Sequence, residues 1–308
     1  MSFSTDIKDE VTRLESTKAE LISELSAIVR NNASFEDNIK ITIENNAVAR
    51  RIFKLFRLVY DVVPIITVRK KYSFTKGLDY ILEIKEKKKE ILTDLSIIDS
   101  NNNFLNIPKD YIIGDEETIR AYLRGLFIST GSVNDPKTSR YHLEFLVDNS
   151  AYAKFLEKLL NDFNLNSRII RREKNYMVYI KEAEKISDFL RLIKSYSAVM
   201  YFEDIRIYRD HKNMTNRLNN CEQANMDKIF LTASNQIKDI NKLKELDIID
   251  LLDEKLKEVI DYRLKYPESS LQELSDIITE ETGNKITKSG LNHRFRKIKE
   301  IINNIENK

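Results

Sequence analysis

Cysteine, glycine and long apolar stretches are scarce in this 308-residue chain, and each shortage argues against a class of protein. Cys221 is the single cysteine, so no disulfide can form within the chain, as is typical of a reducing cytoplasm. No apolar run reaches about 18 residues, the length that a transmembrane helix needs. The polar, acidic start is unlike a secretory signal. The composition therefore predicts a cytoplasmic chain without a membrane-spanning segment.

Motifs that cradle phosphates or bind zinc are also missing. The six glycines form neither GxGxxG nor GxxxxGK[ST], which argues against dinucleotide and P-loop sites. His142, His211 and His293 lie far apart, and with one cysteine no zinc-ligand spacing occurs. No GxSxG nucleophile elbow is present. We therefore expect no cofactor, no metal, no small-molecule substrate and no catalytic residue.

The chain does contain enough apolar residues for a core, at 42 % of the sequence. Its length predicts one to three domains. The 51 Lys and Arg residues nearly balance the 49 Asp and Glu residues, so net charge does not indicate a partner. Any indication of a binding partner must therefore come from local clusters of charge.

One sequence pattern occurs twice. Residues 24–34 (ELSAIVRNNAS) align with residues 122–132 (YLRGLFISTGS), and TIENNAVARRIFKLF from Thr42 aligns without a gap with LVDNSAYAKFLEKLL from Leu146. Each copy is predicted as helix, strand, helix, strand, strand, helix. The copies, about 19–98 and 118–198, predict one pseudo-twofold α+β domain over residues 1–205.

Small residues occupy the middle of the first helix in both copies. We expect helices at 19–31 and 120–130 to pack on each other at Ala27 and Gly125. Glycine within a helix costs about 0.5–1 kcal/mol relative to alanine, and a close helix crossing would offset that. The alternative is chance spacing in two ordinary core helices.

LRGLFISTG, residues 123–131, resembles the LAGLIDADG motif of homing endonucleases. The resemblance implies two crossing helices, each followed by a strand of a DNA-binding saddle. In those enzymes the eighth motif position is an acid that binds Mg²⁺, whereas here Asn32 and Thr130 hold it. Two-metal hydrolysis needs carboxylate oxygens, so these degenerate positions predict a saddle without cleavage. The alternative is a residual nuclease in which Asp37 and Asp135 act as displaced metal ligands.

Two basic patches lie at equivalent places in the two copies, and we predict secondary phosphate contacts for them. The alternatives are ordinary solvated charge and a body used only for protein interaction or structure. The patches are Arg69, Lys70 and Lys71 in the first copy and Arg168, Arg171 and Arg172 in the second.

Residues 206–250 are predicted as a polar linker with a bridging helix from Ala224 to about Leu246, in which Cys221 has a structural or capping role. Residues 251–308 are predicted as an all-α helix-turn-helix domain. Its first helix ends before Pro267, its second begins with a capping box at Ser270, and its third begins at Thr287.

The third helix carries an apolar stripe of Leu291, Phe295, Ile298 and Ile302. Its other face is polar and basic, which suits base edges and phosphates in the major groove. The loop before it, around Gly283, is longer than the usual turn. The alternative is an amphipathic surface helix with a basic face. The predicted DNA-binding residues are Lys288, Ser289, Asn292, His293, Arg294, Arg296, Lys297 and Lys299.

Four blocks, in order, are similar to the WhiA family of bacterial regulators. They are NNAVARRIF (45–53), YLRGLFISTGSVNDP (122–136) with YHLEF after it, RLNNCEQAN (217–225) and ITKSGLNHRFRKIKEI (286–301). The first copy departs from the family's pattern by lacking a turn glycine at residues 31–34, where asparagine tolerates left-handed backbone.

This resemblance implies a DNA-binding protein of Gram-positive bacteria, linked to sporulation in some species and to cell division and chromosome segregation in others. We therefore expect a non-catalytic, sequence-specific regulator that binds double-stranded DNA at the nucleoid. Another regulatory protein is a second candidate partner, and the oligomeric state is undecided. The alternative is an adaptor that acts through protein partners or binds the nucleoid without sequence preference.

Overall fold

A computed structural model describes residues 2–70, 77–138 and 140–306, and the chain forms two compact units, Met1–Arg209 and Asp210–Lys308. The first unit is α+β and the second is all-α, which confirms the predicted fold class. Lys71, one of the predicted phosphate contacts, lies outside the described residues.

The first unit contains the two predicted copies, preceded by α1 (Phe3–Val11). The first copy comprises α2 (Lys18–Asn32), β1 (Ala33–Ser34), β2 (Ile39–Ile43), α3 (Asn46–Tyr60), β3 (Ile65–Lys70), β4 (Leu78–Ile84) and α4 (Lys88–Asp94). The second comprises α5 (Glu116–Thr130), β5 (Gly131–Val133), β6 (Leu143–Val147), α6 (Ser150–Asn161), β7 (Arg168–Arg172), β8 (Asn175–Ile180) and α7 (Ala183–Leu192). The predicted element order was wrong in one respect, because two strands follow the first helix of each copy. The extra strands, β1 and β5, are too short to show alternation in the sequence.

Each copy forms a four-stranded antiparallel sheet with the same strand order, β1-β2-β4-β3 in the first and β5-β6-β8-β7 in the second. The inward positions of β2 and β6 are buried, and their neighbours are more exposed. The sheets therefore pack one face on the helices, as alternating strands do. Ile41 pairs with Leu82, and the equivalent Phe145 pairs with Val178.

The predicted crossing of the two central helices is confirmed at Gly125. A Cβ atom placed on Gly125 would lie 2.3 Å from the Glu24 carbonyl oxygen and 3.1 Å from the Ala27 Cβ. Both helices begin with capping boxes, at Thr17 and Asp115, so α5 starts four residues before the predicted 120. Chance spacing is excluded, because the backbones approach too closely for any side chain at residue 125.

The turns after the two central helices need no left-handed residue. Ala33 has φ −96° and Gly131 has φ −73°, and both are extended. The expectation that asparagine rescues this turn through left-handed backbone was therefore wrong.

A fully buried carboxylate, which the sequence analysis missed, joins the two copies. Glu24 on α2 accepts hydrogen bonds at 2.9 Å from Arg51 Nε on α3 and from Arg124 Nε on α5. All three side chains are nearly inaccessible to water. This charged triad and the crossing at Gly125 occupy the same stretch of the core.

Helix α1 was also missed. It buries Phe3, Ile7 and Val11 against the first unit. The Ser4 hydroxyl donates to the Val133 carbonyl and accepts from its N–H, both at 2.8 Å. The Glu10 carboxylate accepts from the Ser197 N–H at 2.8 Å. Helix α1 thereby covers the free edge of β5 and caps the long helix that begins at Tyr196.

That helix, α8 (Tyr196–Glu245), corrects the predicted linker. It is continuous over 50 residues, and the polar segment before Ala224 is helical rather than irregular. No glycine or proline interrupts residues 196–245, which is why the helix continues. Cys221 is exposed in mid-helix, so its predicted capping role was wrong.

The second unit contains residues 210–245 of α8 and, in the part of the chain that the structure describes, three further α-helices, α9 (Glu254–Lys265), α10 (Leu271–Thr282) and α11 (Lys288–Glu306). Ile240 and Leu243 of α8 join its core, together with the predicted stripe of α11. None of the described helices is both long enough and apolar enough to cross a bilayer.

Candidate nucleic-acid interface

The loop between α10 and α11 is held in place by side chains. Gly283 ends α10 with φ 73°, and the Ser275 hydroxyl donates to the Ile286 carbonyl at 2.9 Å. The Thr287 hydroxyl accepts from the Gly290 N–H at 3.2 Å, so Thr287 caps α11 as predicted. The five-residue connection, 283–287, therefore fixes where α11 begins.

Helix α11 buries its apolar stripe and exposes the opposite face. Leu291, Phe295, Ile298 and Ile302 are at most 5 % exposed. By helical periodicity, Ser289, His293 and Arg296 lie opposite this stripe, and all three are exposed. The side chains flanking this face include the exposed Lys288 and Lys299 and the half-buried Asn292.

Two predicted DNA-binding residues lie instead on the flank that meets α9. Arg294 Nη1 is 3.0 Å from a Glu258 carboxylate oxygen, and Lys297 Nζ is 3.2 Å from a carboxylate oxygen of Asp253. These ion pairs link α11 to α9. The structure therefore groups six of the eight predicted side chains on the outer surface of α11 and separates Arg294 and Lys297 from them.

A buried arginine on α9, Arg263, contacts the inner face of α11. The sequence analysis did not predict it. It is 1 % exposed, and its guanidinium donates to the Ser269 carbonyl at 2.6 Å and lies 5.6 Å from the centre of the Phe295 ring. Burial lowers its pKa. Arg263 thus ties the chain before α10 to the buried face of α11. An arginine at the position after Tyr262 on an otherwise apolar face was the only signal in the sequence.

The two basic patches of the first unit lie on equivalent edge strands. Arg69 and Lys70 are exposed on β3, and Arg168, Arg171 and Arg172 are exposed on β7. Arg69 Nη2 is 3.6 Å from the Asp79 carboxylate, so part of its charge is offset within the sheet. Phosphate contact by either patch stays a prediction.

The two positions that the LAGLIDADG resemblance aligns with catalytic acids, Asn32 and Thr130, carry no carboxylate. Thr130 donates weakly to the Leu126 carbonyl at 3.4 Å, and Asn32 borders a cleft of about 400 Å³ that α1 lines with Lys8. Asp37 is exposed, and Asp135 accepts from the Tyr201 hydroxyl at 3.2 Å. Within residues 2–70, 77–138 and 140–306, no three His, Cys, Asp or Glu side chains are grouped to hold a metal ion. The alternative of Asp37 and Asp135 as displaced ligands therefore gains no geometric support.

Lys8 makes the stability of the first unit depend on pH. Burial lowers its pKa from 10.5 to about 8, although the Glu44 carboxylate partly opposes this. Because the folded chain holds this proton less tightly than the unfolded chain, stability should rise between pH 8 and 10.5 and fall as pH drops through 8. At pH 7 we expect the free energy of unfolding of Lys8→Met to exceed that of wild type by about 1–2 kcal/mol. This gain is smaller than full burial of the amine would give, because Lys8 keeps some contact with water. Urea unfolding of both proteins from pH 7 to 10.5 is expected to show the difference in their free energies of unfolding shrinking as pH rises. A difference that stays constant would contradict the prediction.

Three family models match the chain. They are described as the WhiA N-terminal LAGLIDADG-like domain (residues 18–98), the WhiA LAGLIDADG-like domain (119–212) and the WhiA C-terminal HTH domain (215–302). The "Probable cell division protein WhiA" of Bacillus mycoides (strain KBAB4) is 42 % identical over 306 residues, with 98 % of this chain and 96 % of that protein covered. The chain belongs to the WhiA family.

Other WhiA proteins support the same assignment. The "Probable cell division protein WhiA" of Lactobacillus johnsonii (strain CNCM I-12250 / La1 / NCC 533) is 41 % identical over 307 residues, covering 98 % of this chain and 97 % of that protein. A crystal structure of full-length DUF199/WhiA from Thermatoga maritima is 25 % identical, with a TM-score of 0.59 and 98 % of each chain covered. The predicted helix-turn-helix and LAGLIDADG-like body are confirmed as WhiA domains.

Proposed function

We propose that this WhiA protein is a non-catalytic regulator of transcription that binds double-stranded DNA sequence-specifically through α11. The observation that carries the proposal is the outer face of α11, where Arg296 is exposed and makes no ion pair or hydrogen bond with any other described residue. Its setting would be the nucleoid, in the cytoplasm. The names of its relatives favour cell division as the process served, and sporulation and chromosome segregation belong to the same proposal.

The proposed contacts follow from the chemistry of that face. Arg296 offers a planar pair of donors that matches guanine O6 and N7, and Asn292 can pair with adenine. Ser289 and His293 add short polar groups to the same surface. Lys288 and Lys299, on its flank, suit phosphates. The ion pairs from α9 to Arg294 and Lys297 would hold the helix in one orientation during binding.

The proposal of a non-catalytic body rests on Asn32 and Thr130. Neither side chain can supply the anionic oxygen that a hard cation requires. Supercoiled plasmid incubated with the full chain and Mg²⁺ or Mn²⁺ is expected to remain supercoiled. Nicking that persists in the full chain but is lost in an Asp37→Asn, Asp135→Asn variant would establish the residual nuclease instead.

Arg296→Ala is expected to weaken binding to the specific site by about 1–3 kcal/mol, because a bidentate base contact is lost. Arg296→Lys keeps the charge but not the planar pair of donors, so it should bind non-specific duplexes like wild type and still lose specificity. Titration of both variants against a specific and a scrambled duplex measures this. Unchanged affinity for the specific site would remove Arg296 from base contact.

Lys299→Ala is expected to weaken all duplexes alike, because a phosphate contact carries no sequence information. The slope of log affinity against log salt should fall by about 1. Binding isotherms at several salt concentrations, with specific and scrambled duplexes of one length, provide the measurement. A loss confined to the specific duplex would place Lys299 at a base edge.

The proposal as a whole can be tested with genomic DNA of the host. The full chain is mixed with sheared DNA at physiological salt, and bound fragments are sequenced. Enrichment at one short shared sequence is expected. Flat coverage would favour the adaptor alternative, in which another regulatory protein supplies the specificity, and light scattering of the same sample would give the oligomeric state.

A further inference from the structure

The middle of α8 exposes a row of three asparagines and one arginine. Asn213, Asn216, Arg217 and Asn220 follow the spacing i, i+3, i+4, i+7, so they lie on one face of the helix, which we name the amide stripe. All four are exposed. None of them makes a side-chain hydrogen bond or ion pair with another residue of the described ranges.

The amide stripe is not explained by helix stability. Asparagine is among the weaker helix formers, because its side chain competes for backbone hydrogen bonds. Five asparagines occur between residues 213 and 225, where every side chain is exposed and packing offers no compensation. A solvated helix is normally stabilised by Lys and Glu pairs three or four residues apart. Local sequence that opposes the structure it adopts is expected at functional sites.

We propose that the amide stripe is a second duplex-DNA contact surface, in addition to α11. This inference rests on the proposed DNA-binding function. Asparagine can donate to and accept from one adenine edge, and arginine can pair with guanine or a phosphate. From residue 213 to 220 the helix rises about 10 Å, which corresponds to about three base steps of duplex DNA.

DNA suits the stripe better than a protein partner does. The stripe holds no apolar side chain, whereas the centre of a protein interface is aromatic and apolar. Its one charge is positive, Lys212 adjoins it, and no acidic residue lies between Asp210 and Glu222. The apolar Met214 and Leu218 of this segment lie on another face of the helix. The stripe also belongs to the same compact unit as α11.

A triple variant of the full chain, Asn213→Ala, Asn216→Ala and Asn220→Ala, tests the proposal. Its probe is a labelled host genomic fragment recovered by the wild-type chain, at fixed salt. We expect affinity to fall at least tenfold while thermal stability is unchanged or raised, since alanine favours helix. The matched control is Asn219→Ala with Asn225→Ala, which removes the same chemistry from other faces of α8 and is expected to bind like wild type.

Arg296→Ala in the same assay separates this inference from the function on which it rests. If Arg296→Ala weakens binding but the stripe variant matches wild type, the second surface is overturned and the proposed function stands. If the control variant weakens binding as much as the stripe variant, the effect is not specific to the face and the inference is overturned. If the wild-type chain retains no duplex, both fail.

Discussion

Gly125→Ala is expected to lower the free energy of unfolding of the first unit by about 3 kcal/mol, the upper end of the range for overpacked cores. The added Cβ would lie 2.3 Å from the Glu24 carbonyl oxygen and 3.0 Å from its carbonyl carbon. Both contacts are with backbone, which cannot turn aside as a flexible side chain would. The helices α2 and α5 must separate, and every contact along their crossing loosens with them.

Gly290→Ala is the matched control, because Gly290 is also helical but has room. Its nearest atoms to an added Cβ lie at 3.5 and 3.7 Å, an ordinary contact distance. The second unit should therefore gain about 0.5–1 kcal/mol from the better helix former. Native-state hydrogen exchange, followed separately in α5 and α9, measures both changes in the full chain. Equal small effects in the two variants would show that the crossing is loose.

The crossing of α2 and α5 could be predicted because two features of the sequence indicate it. Ala27 and Gly125 align in the repeat, and each lies amid apolar residues with helical period. The burial of Leu291, Phe295, Ile298 and Ile302 was predictable for the same reason. Helix α1 could not be predicted in this way, because the sequence of a nine-residue helix with three buried positions resembles that of a polar terminus. The start of α8 was misplaced because its asparagines favour loops in isolation.

The candidate site shows where helical periodicity stops being informative. The spacing of polar residues in α11 predicts a solvated face, and the structure exposes Ser289, His293 and Arg296 there. Periodicity cannot say which flank meets a neighbouring helix. Arg294 and Lys297 were therefore grouped with Arg296, although Glu258 and Asp253 of another element bind them. Such pairing is tertiary, and only the packing of α9 on α11 reveals it.

Glu24→Ala is expected to destabilise the first unit by about 3–5 kcal/mol, because it leaves two arginines buried without a counter-charge. Arg51 and Arg124 are 4 % and 1 % exposed, so water cannot replace the carboxylate. Their remaining partners are neutral: the Leu14 carbonyl accepts from Arg51 at 2.7 Å, and the Ser16 hydroxyl accepts from Arg124 at 3.0 Å. Asp188→Ala, which breaks the exposed pairs with Lys185 and Arg191, should change stability by less than about 1 kcal/mol.

The triple variant Glu24→Leu, Arg51→Met, Arg124→Met distinguishes lost charge balance from lost packing. It removes all three charges and keeps apolar volume, so most of the stability lost in Glu24→Ala should return. Hydrogen exchange in α2 and α5 would report the recovery, with α9 of the second unit as an internal reference. If the triple variant were as unstable as Glu24→Ala, the triad would matter through its hydrogen bonds and shape. If Glu24→Ala itself were nearly neutral, water would have to reach two arginines that are only 4 % and 1 % exposed.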